Sequence, residues 1–343
     1  MRRILVIRID FLGDMICTTA LLQSIKQRWP EAELHVLANK YNAAALEGNP
    51  VVHRVHRYVY SKKYEKNQRP GLLNALIDRL RLIFQLRHLK FDLLVIPNGG
   101  MNKSSIQFAK LLNVKDSRWH TSKSEFDDRN PSHIANRRPR HEVLYGYELL
   151  PELETPDIQR LSLAIYPDAD LQRHWRQRLA PHGRPRVGFF TSNKSDARRW
   201  SWEKWRQLAQ KLSAVADIIV FSVPGAEPTP EQQNAIKARC IVTPGVADLF
   251  AAASLLDVIV SADSAPVHIG GALKVPVVAL FESRPEKYLR WHPLGVEYIL
   301  LHAGAVVDDI SVSDVETAVC SLLQVAMRVT RNVRGSPAQV GQD

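Results

Sequence analysis

Cysteine and long apolar runs are both scarce in this sequence of 343 residues. The three cysteines (Cys17, Cys240 and Cys320) are too few and too far apart for a disulfide framework or a thiolate zinc site. No apolar run approaches the roughly 18 residues that a membrane-spanning helix needs. The N-terminus leads into a short strand pattern, Ile4–Ile7, without the apolar region and cleavage site of a secretory signal. We therefore expect a protein of the reducing cytoplasm.

Acidic residues are outnumbered, with 35 Asp and Glu against 46 Lys and Arg, and the formal net charge is +11. An excess of this sign suits anionic partners such as nucleic acid, anionic lipid or a phosphorylated substrate. The sequence lacks a helix-turn-helix pattern, an aromatic RNA-binding motif and zinc-finger spacing. We therefore do not expect nucleic acid among the partners.

The basic excess is concentrated between Arg54 and Lys90, which hold ten Lys and Arg against two acids. Apolar residues recur there at helical spacing, at Leu73, Leu76, Ile77, Leu80, Ile83 and Phe84. One interpretation is a helix packed on the core with a solvated basic face. The other is a basic amphipathic surface that rests on an anionic membrane leaflet.

Strand and helix patterns alternate along the chain, which predicts an α/β protein with parallel sheets. The length suits two domains. We predict a first domain over 1–155, a linker over 156–185, a second domain over 186–330 and an irregular tail over 331–343. Predicted strands are Ile4–Ile7, Glu33–Leu37, Arg54–Tyr58, Leu93–Pro97, Val187–Thr191, Ile218–Ser222, Val258–Val260 and Lys274–Phe281. Predicted helices include Thr18–Trp29, Leu72–Leu89, Ser104–Leu112, Trp202–Ala214, Pro230–Ala238, Val246–Ser254 and Val312–Val325, while Asp116–Arg140 is predicted as a loop or short helix.

A polar turn, Arg8–Asp14, connects the first strand to a helix. In open α/β sheets, ligands bind beyond the carboxyl ends of the strands, where such turns lie. Gly13 allows the backbone to approach a ligand closely. Asp14 places a carboxylate at the mouth of the crevice, where it either serves as a catalytic base or only caps the helix.

A second segment, Val258–Leu273, repeats this plan. A strand ends at Asp263, and a helix rich in small residues follows. Two strand–turn–helix sites about 250 residues apart suggest two doubly wound domains that face each other across a cleft.

Together the two segments resemble glycosyltransferase family 9, the bacterial lipopolysaccharide heptosyltransferase family. The family's opening pattern, R-x-D-x-x-G-D, reads Arg8–Asp14 here, and its T-T-P-like residues are Thr18–Ala20. The late pattern, D-S-G-x-x-H-x-A-A-A-L, reads Asp263–Leu273, with Ala265 in place of the usual glycine. The likeness runs over roughly residues 1–325. It implies two facing Rossmann-like domains, the GT-B fold, and sugar transfer with inversion.

The resemblance also implies roles for individual residues. Asp14 becomes the candidate general base, with Asp10 as the alternative. The expected donor-binding residues are Arg198, Glu227, Asp263, Ser264, Ala265 and His268, with Lys194 as a substitute for Arg198. The start of the helix after Asp263 would hold the nucleotide diphosphate. Glu227 matches the family's acidic residue for the ribose, although a lone loop glutamate has little weight by itself.

The acceptor would enter from the first domain. The expected acceptor-binding residues are Gly13, Asn98, Gly99, Lys62 and Lys63. For each lysine, a solvated charge run is an equally good interpretation. Single acids near the sites and the lack of a suitable D-x-D motif lead us to expect no cofactor and no obligatory metal.

The main hypothesis is therefore an inverting glycosyltransferase that moves heptose from ADP-heptose onto a lipopolysaccharide core or related surface glycan. It would work as a peripheral protein on the cytoplasmic face of the inner membrane. The alternatives are a sugar-nucleotide epimerase of the same two-domain fold and a non-catalytic family member that binds a membrane or a nucleotide. Departures from the family pattern around the donor site, at Phe190–Asn193 and Phe281–Pro285, leave room for another donor sugar.

Overall fold

The computed structural model describes residues 1–61, 63–121, 130–136, 139–180 and 183–334, with side chains up to Val325. The first half forms a five-stranded sheet in the order β3-β2-β1-β4-β5. Every strand pair in it is parallel. The strands are β1 (Arg3–Arg8), β2 (Glu33–Ala38), β3 (Arg54–Arg57), β4 (Leu93–Ile96) and β5 (Asp116–Trp119).

Helices cover both faces of this sheet, because alternate residues of a strand point to opposite faces. Ile4 and Val6 pack into the cluster that holds the apolar residues of α1. Leu5 and Ile7 pack into the cluster that holds those of α2 and α3. The helices of this half are α1 (Leu12–Arg28), α2 (Leu72–His88), α3 (Lys103–Leu112), α4 (Pro131–Asn136) and α5 (Tyr145–Glu148).

The second half forms a six-stranded sheet in the order β11-β10-β9-β6-β7-β8, again with all pairs parallel. Its strands are β6 (Arg186–Phe190), β7 (Asp217–Ser222), β8 (Arg239–Val242), β9 (Val258–Ala262), β10 (Val277–Phe281) and β11 (Tyr298–His302). The helices are α6 (Ala169–Arg178), α7 (Trp202–Leu212), α8 (Pro230–Ile236), α9 (Val246–Ala253), α10 (Ala265–Leu273), α11 (Pro285–Trp291) and α12 (Val312–Arg334). The predicted α/β class with two parallel sheets is confirmed.

Several elements differ from the sequence-based expectation. Helix α1 begins at Leu12 rather than at Thr18, so Gly13 and Asp14 lie in its first turn. Asp116–Trp119 is a strand, not a loop or short helix. The segment expected to be a linker contains α6, which buries Trp175 and packs on α9. Helix α12 continues to Arg334, four residues into the expected irregular tail.

The two halves meet where α1 packs against α10. Each of these helices follows the carboxyl end of a central strand, β1 and β9 respectively. Buried residues of both helices belong to one continuous apolar cluster. The contact therefore brings together the two turns that the sequence singled out.

Candidate active site

A buried arginine organises the carboxyl end of β1. Arg8 is 1% exposed, and its guanidinium contacts three carboxylates. Nε donates to Asp10 Oδ1 at 2.9 Å, and Nη2 donates to Asp14 Oδ1 at 2.5 Å and to Glu142 Oε1 at 2.8 Å. Nη1 donates to the carbonyl oxygen of Pro97 at 3.2 Å. Burial alone would lower the pKa of Arg8, but the three carboxylates raise it well above its usual value.

Asp14 does not cap α1, so the capping interpretation is wrong. The N-cap residue is Phe11, and the Asp14 carboxylate turns to Arg8. Its side chain is 14% exposed, and Oδ2 has no hydrogen-bond partner within the described ranges. Burial raises the pKa of Asp14 to about 7, with the charge of Asp10 adding to the effect and Arg8 opposing it. A carboxylate with a free oxygen and this pKa is suited to take a proton near neutral pH.

Asp10, the alternative base, has both carboxylate oxygens occupied. Oδ1 accepts from Arg8, and Oδ2 accepts from Asn98 Nδ2 at 2.5 Å. The Asn39 amide donates to the carbonyl oxygen of Asp10 as well. These bonds fix Asp10 within the turn, so its geometry favours a bracing role and leaves Asp14 as the better candidate for the base.

Glu142 and Arg290 complete the charge network, and sequence reasoning missed both. Glu142 is 2% exposed and accepts from Arg8 on one oxygen. Its other oxygen accepts from Arg290 Nε at 2.9 Å, which joins the first half of the chain to α11 of the second. Burial opposes ionisation, but Arg290 and Arg8 outweigh it and lower the pKa of Glu142 to about 2. No spacing signal marks Glu142, since it lies in an ordinary helical pattern.

Asn98 and Gly99, expected at the acceptor side, support the same network. Asn98 holds Asp10, and its own Oδ1 is buried without a partner among the described residues. The Gly99 N–H donates to Glu142 Oε1 at 3.0 Å. A Cβ on Gly99 would lie 2.6 Å from the Tyr145 ring and 2.7 Å from Glu142 Oε2. Only glycine fits there, so Gly99 has a packing role, and its contact with an acceptor stays a prediction.

Gly13 and His268 lie at the contact between the two halves. A Cβ on Gly13 would lie 2.8 Å from His268 Cδ2 and 3.5 Å from Ala265 Cα. His268 is 4% exposed, its Nδ1 is 3.4 Å from Cys17 Sγ, and burial lowers its pKa to about 4. Because Gly13 has no side chain, α10 can pack closely against α1 at this point. Asp14 is the next residue of α1.

The turn after β9 is held by residues of the second half. Arg198 Nη1 donates to both the carbonyl oxygen and the carboxylate of Asp263, each at 3.3 Å. Asn193 Nδ2 donates to the same carbonyl at 3.0 Å. Burial raises the pKa of Asp263, while Arg198 and then Lys287 oppose the rise. Arg198 and the charge of Lys287 thus act on the buried carboxylate of Asp263, while Asn193 holds the main-chain carbonyl of the same residue.

Only some residues at the start of α10 have a free N–H group. Pro266 has none, and the N–H of Val267 donates to the carbonyl oxygen of Ser264 at 3.1 Å. The N–H groups of Ser264 and Ala265 have no acceptor in the part of the chain that the structure describes. Helix starts with such free donors bind anions well.

The remaining predicted residues are on exposed loops. The Glu227 carboxylate accepts from the N–H of Gly225 at 3.1 Å, in the turn after β7. Lys194 and Lys63 are exposed. Lys62 lies outside the described residues. The structure thus brings Asp263, Ser264, Ala265, His268 and Arg198 together with Gly13 and Asp14, and leaves Glu227 and Lys63 on the surface.

One group of potential metal ligands lies near the amino ends of the strands of the first sheet. Ligand atoms of Glu33, His35 and His53 lie within 4.8 Å of one another. Glu33 Oε2, however, accepts from Arg3 Nε at 2.5 Å, so a guanidinium already holds this carboxylate. The group lies at the start of β2, whereas Arg8 and Asp14 lie at the carboxyl edge of the sheet.

Comparison with protein families decides the class of this molecule. Residues 79–307, about two thirds of the chain, match the family described as glycosyltransferase family 9 (heptosyltransferase). The chain belongs to glycosyltransferase family 9. It is therefore a glycosyltransferase, and the matched span contains Glu142, Arg198, Asp263, His268 and Arg290.

Relatives of this family 9 chain cover nearly its whole length. Lipopolysaccharide heptosyltransferase 3 of Escherichia coli is 24% identical over 306 residues, which are 86% of this chain and 87% of that protein. The family 9 glycosyltransferase of Veillonella parvula superposes with a TM-score of 0.76 at 18% identity, over 94% of this chain and 97% of the other. The E. coli ADP-heptose lipopolysaccharide heptosyltransferase II superposes with a TM-score of 0.70 at 17% identity, over 95% of this chain and 100% of the other. The likeness confirms the predicted GT-B fold.

Proposed function

We propose that this family 9 glycosyltransferase transfers heptose from ADP-heptose to the inner core of a lipopolysaccharide, or to a related surface glycan, with inversion at the anomeric carbon. The observation that carries the proposal is the fit of α10 against Gly13. It puts Asp14, whose Oδ2 has no hydrogen-bond partner within the described ranges, next to a helix start with free N–H groups. A base and an anion site at one contact are what sugar transfer from a nucleotide diphosphate requires.

The donor site lies on the second half of the chain. The N–H groups of Ser264 and Ala265 and the positive end of α10 bind the diphosphate. Arg198 gives a cation beside them, and Asp263 orients Arg198 through its two contacts. Glu227, after β7, accepts hydrogen bonds from the ribose hydroxyls. The names of the relatives, a lipopolysaccharide heptosyltransferase and an ADP-heptose heptosyltransferase, support heptose and ADP as the parts of the donor.

Asp14 is the general base in this scheme. The acceptor hydroxyl oxygen attacks the anomeric carbon as its proton passes to the Asp14 carboxylate, and the bond from that carbon to the diphosphate oxygen breaks. The electron pair leaves with ADP, whose new charge the α10 start and Arg198 stabilise. A single base and a direct displacement give inversion. Arg8 holds Asp14 in place through the bond at 2.5 Å.

The acceptor binds to the first half, close to Asn98 and Gly99, with Lys62 and Lys63 as further contacts. Phosphates of a lipopolysaccharide core suit those lysines, and the acceptor's lipid places the reaction at the cytoplasmic face of the inner membrane. In the described part of the chain, none of the helices combines the length and apolarity that crossing a bilayer requires. A peripheral location fits these facts together.

Nucleotide release from a panel of donors tests this function. We expect ADP-heptose, and not ADP-mannose, UDP-sugars or GDP-sugars, to release its nucleotide in the presence of heptose-deficient lipopolysaccharide. Asp14→Asn should lower the rate about 10²–10⁴-fold, the usual contribution of general base catalysis. The control Asp170→Asn, on the surface of α6, should keep the wild-type rate, since its side chain is 79% exposed and pairs only with Arg173 there.

Three outcomes would contradict the proposal. Nucleotide release from another donor alone would mean that ADP-heptose is not the donor. Acceptor-independent conversion of the sugar nucleotide would indicate an epimerase. Binding of ADP without turnover on any acceptor would indicate a family member that no longer catalyses.

A further inference from the structure

Helix α2 leaves most of its apolar side chains in solvent. Only Ala75, Leu82 and Leu86 are buried against the first sheet. Six large apolar side chains of the same helix are 44–75% exposed: Leu72, Leu73, Leu76, Ile77, Leu80 and Phe84. We call these six residues the α2 surface. At 100° per residue they fall within one continuous arc of the helix, so they form a single stripe rather than scattered exposures.

The concentration of apolar exposure on this helix is unusual within the molecule. The α2 surface holds six of the 17 exposed large apolar side chains in the described residues. Tyr64, in the loop before α2, and Leu111 of α3 are exposed as well. Leu111 lies beside the end of α2, since Arg87 Nε donates to its carbonyl oxygen at 2.9 Å. Contiguous apolar surface of this kind marks a binding site for a protein or a membrane.

The charges around the α2 surface are almost all positive. Arg81 and Arg87 flank it and are exposed, and Lys63 and Lys66 lie in the preceding loop. The helix has one acid, Asp78, whose carboxylate is bound by Arg69. An apolar stripe bordered by exposed cations complements the boundary between acyl chains and anionic headgroups. This charge pattern favours an anionic bilayer over a neutral apolar partner.

Helix α2 begins at the same edge of the first sheet as the candidate active site. Helix α2 packs on the face of the first sheet opposite to α1, so the second half does not cover it. A helix between parallel strands begins at the carboxyl edge of the sheet, which is the edge of Arg8 and Asp14. The loop between β3 and α2 also approaches that edge: Asp10 is near enough to Tyr60 for its charge to add to burial and Tyr58 in raising the pKa of Tyr60.

We propose that the α2 surface binds an anionic phospholipid bilayer, with its six apolar side chains among the acyl chains and the flanking Arg and Lys at the headgroups. The proposal deepens the peripheral location given above and rests on the proposed function only for the identity of the acceptor. Docked in this way, the first half lies on the leaflet with the Asp14 edge next to it. An acceptor held in that leaflet then reaches the base without leaving the membrane.

Vesicle binding by the full chain tests the surface directly. Wild-type protein should co-sediment with vesicles of phosphatidylethanolamine and phosphatidylglycerol, and more weakly with vesicles of phosphatidylcholine. Leu73→Glu should weaken binding to the anionic vesicles roughly tenfold or more, and Leu73→Glu with Leu80→Glu further still. The matched control Val215→Glu, at a site that is 50% exposed on the second half, should bind as wild type. Raising the salt from about 0.1 M to about 1 M should weaken binding, because the Debye length falls from about 10 Å to about 3 Å.

Equal binding of wild type and Leu73→Glu would overturn the proposal, as would equal binding to both vesicle types. A dimer in solution that Leu73→Glu converts to a monomer, without vesicle binding, would assign the surface to a second copy of the chain and would also overturn it.

A second readout separates this proposal from the proposed function. On a water-soluble acceptor without acyl chains, Leu73→Glu should transfer at the wild-type rate, and on an acceptor within anionic vesicles it should be slower. Vesicle binding without any transfer would refute the transferase and leave the docking surface standing. Transfer without vesicle binding would refute the docking surface and leave the transferase standing.

Discussion

Arg8 sets the charge balance at the scale of single residues. It is buried among Asp10, Asp14 and Glu142, so one positive charge faces three negative ones. Glu142 also has Arg290 and is the most easily ionised of the three, with a pKa lowered to about 2. Asp14 has only a share of Arg8, and its pKa is raised to about 7. The network thus keeps one carboxylate close to its protonation midpoint, where a general base is most effective.

The pH dependence of transfer tests this network. The wild-type rate should fall on the acid side with a midpoint near pH 7, as Asp14 becomes protonated. The charge of Glu142 is one of the causes that raise the pKa of Asp14. Glu142→Gln removes that charge and should therefore shift the acid limb to lower pH, by roughly one pH unit. The measurement is the rate against pH for both proteins with a saturating donor.

Glu148→Gln is the matched control, because Glu148 lies on α5 and pairs with Arg140 at the surface. It should leave the acid limb in place. If Glu142→Gln slows transfer at every pH and leaves the midpoint unchanged, Glu142 has a structural role only, and the proposed electrostatic coupling to Asp14 is wrong.

Asp14 and Asp10 could be selected from sequence because one short turn holds both, directly after an apolar strand. Glu142 and Arg290 could not be selected in that way. Glu142 lies 134 residues from Arg8, and Arg290 lies 148 residues from Glu142, so only the packed domains bring them together. The capping hypothesis for Asp14 failed for a local reason. The N-cap of α1 is Phe11, three residues before Asp14, and the buried Arg8 attracts the Asp14 carboxylate more strongly than the helix N–H groups do.

At the scale of elements, the close approach of α1 and α10 determines the site. Gly13 in α1 faces His268 and Ala265 in α10, and the lack of a side chain at Gly13 lets the two helix starts come together. Gly270 further along α10 fits closely as well, since a Cβ there would lie 2.3 Å from Val277 Cγ2 of β10.

The variant Gly13→Ala tests how much this contact contributes to the free energy of unfolding. The new Cβ would lie 2.8 Å from His268 Cδ2, and overpacking of this kind costs about 1–3 kcal/mol. Alanine favours a helix by up to about 1 kcal/mol over glycine, so the net loss should be smaller than the clash alone. We expect a lower unfolding midpoint in urea.

The double variant Gly13→Ala with His268→Ala, together with the two single variants, forms a double-mutant cycle. The added methyl group should cost less when the imidazole is absent, so the two effects should not be additive. Additive effects, or a Gly13→Ala variant as stable as the wild type, would mean that α1 and α10 are not packed as described.

The strands that sequence reasoning missed are β5, β8 and β11, and all three are at sheet edges. Edge strands are covered on fewer sides, so their residues are less apolar or less buried than those of central strands. The residues of β5 are all only half-buried, whereas those of β9 and β10 are all buried. Helix α6 was missed for a related reason, because Trp175 is its only fully buried residue. The central strands therefore could be predicted from sequence, whereas three of the four edge strands, β5, β8 and β11, could not.

At the scale of the whole molecule, the proposed function divides the work of transfer between the two halves. In this proposal the first half carries the base and the acceptor side, and the second carries the donor side. Two motifs about 250 residues apart suggested this division from sequence, and the contact of α1 with α10 unites them. Part of the positive charge lies at the border of the α2 surface, a segment for which the sequence allowed two interpretations.

The affinity for ADP, measured by calorimetry on wild type, Asp14→Asn and Arg198→Gln, tests this division most directly. Asp14→Asn should bind ADP at least as tightly as wild type, because the base does not hold the donor and its loss removes a negative charge near the diphosphate. Arg198→Gln should bind ADP roughly tenfold or more weakly, since it loses a charge-assisted hydrogen bond. Loss of ADP binding in Asp14→Asn, or unchanged binding in Arg198→Gln, would contradict the account.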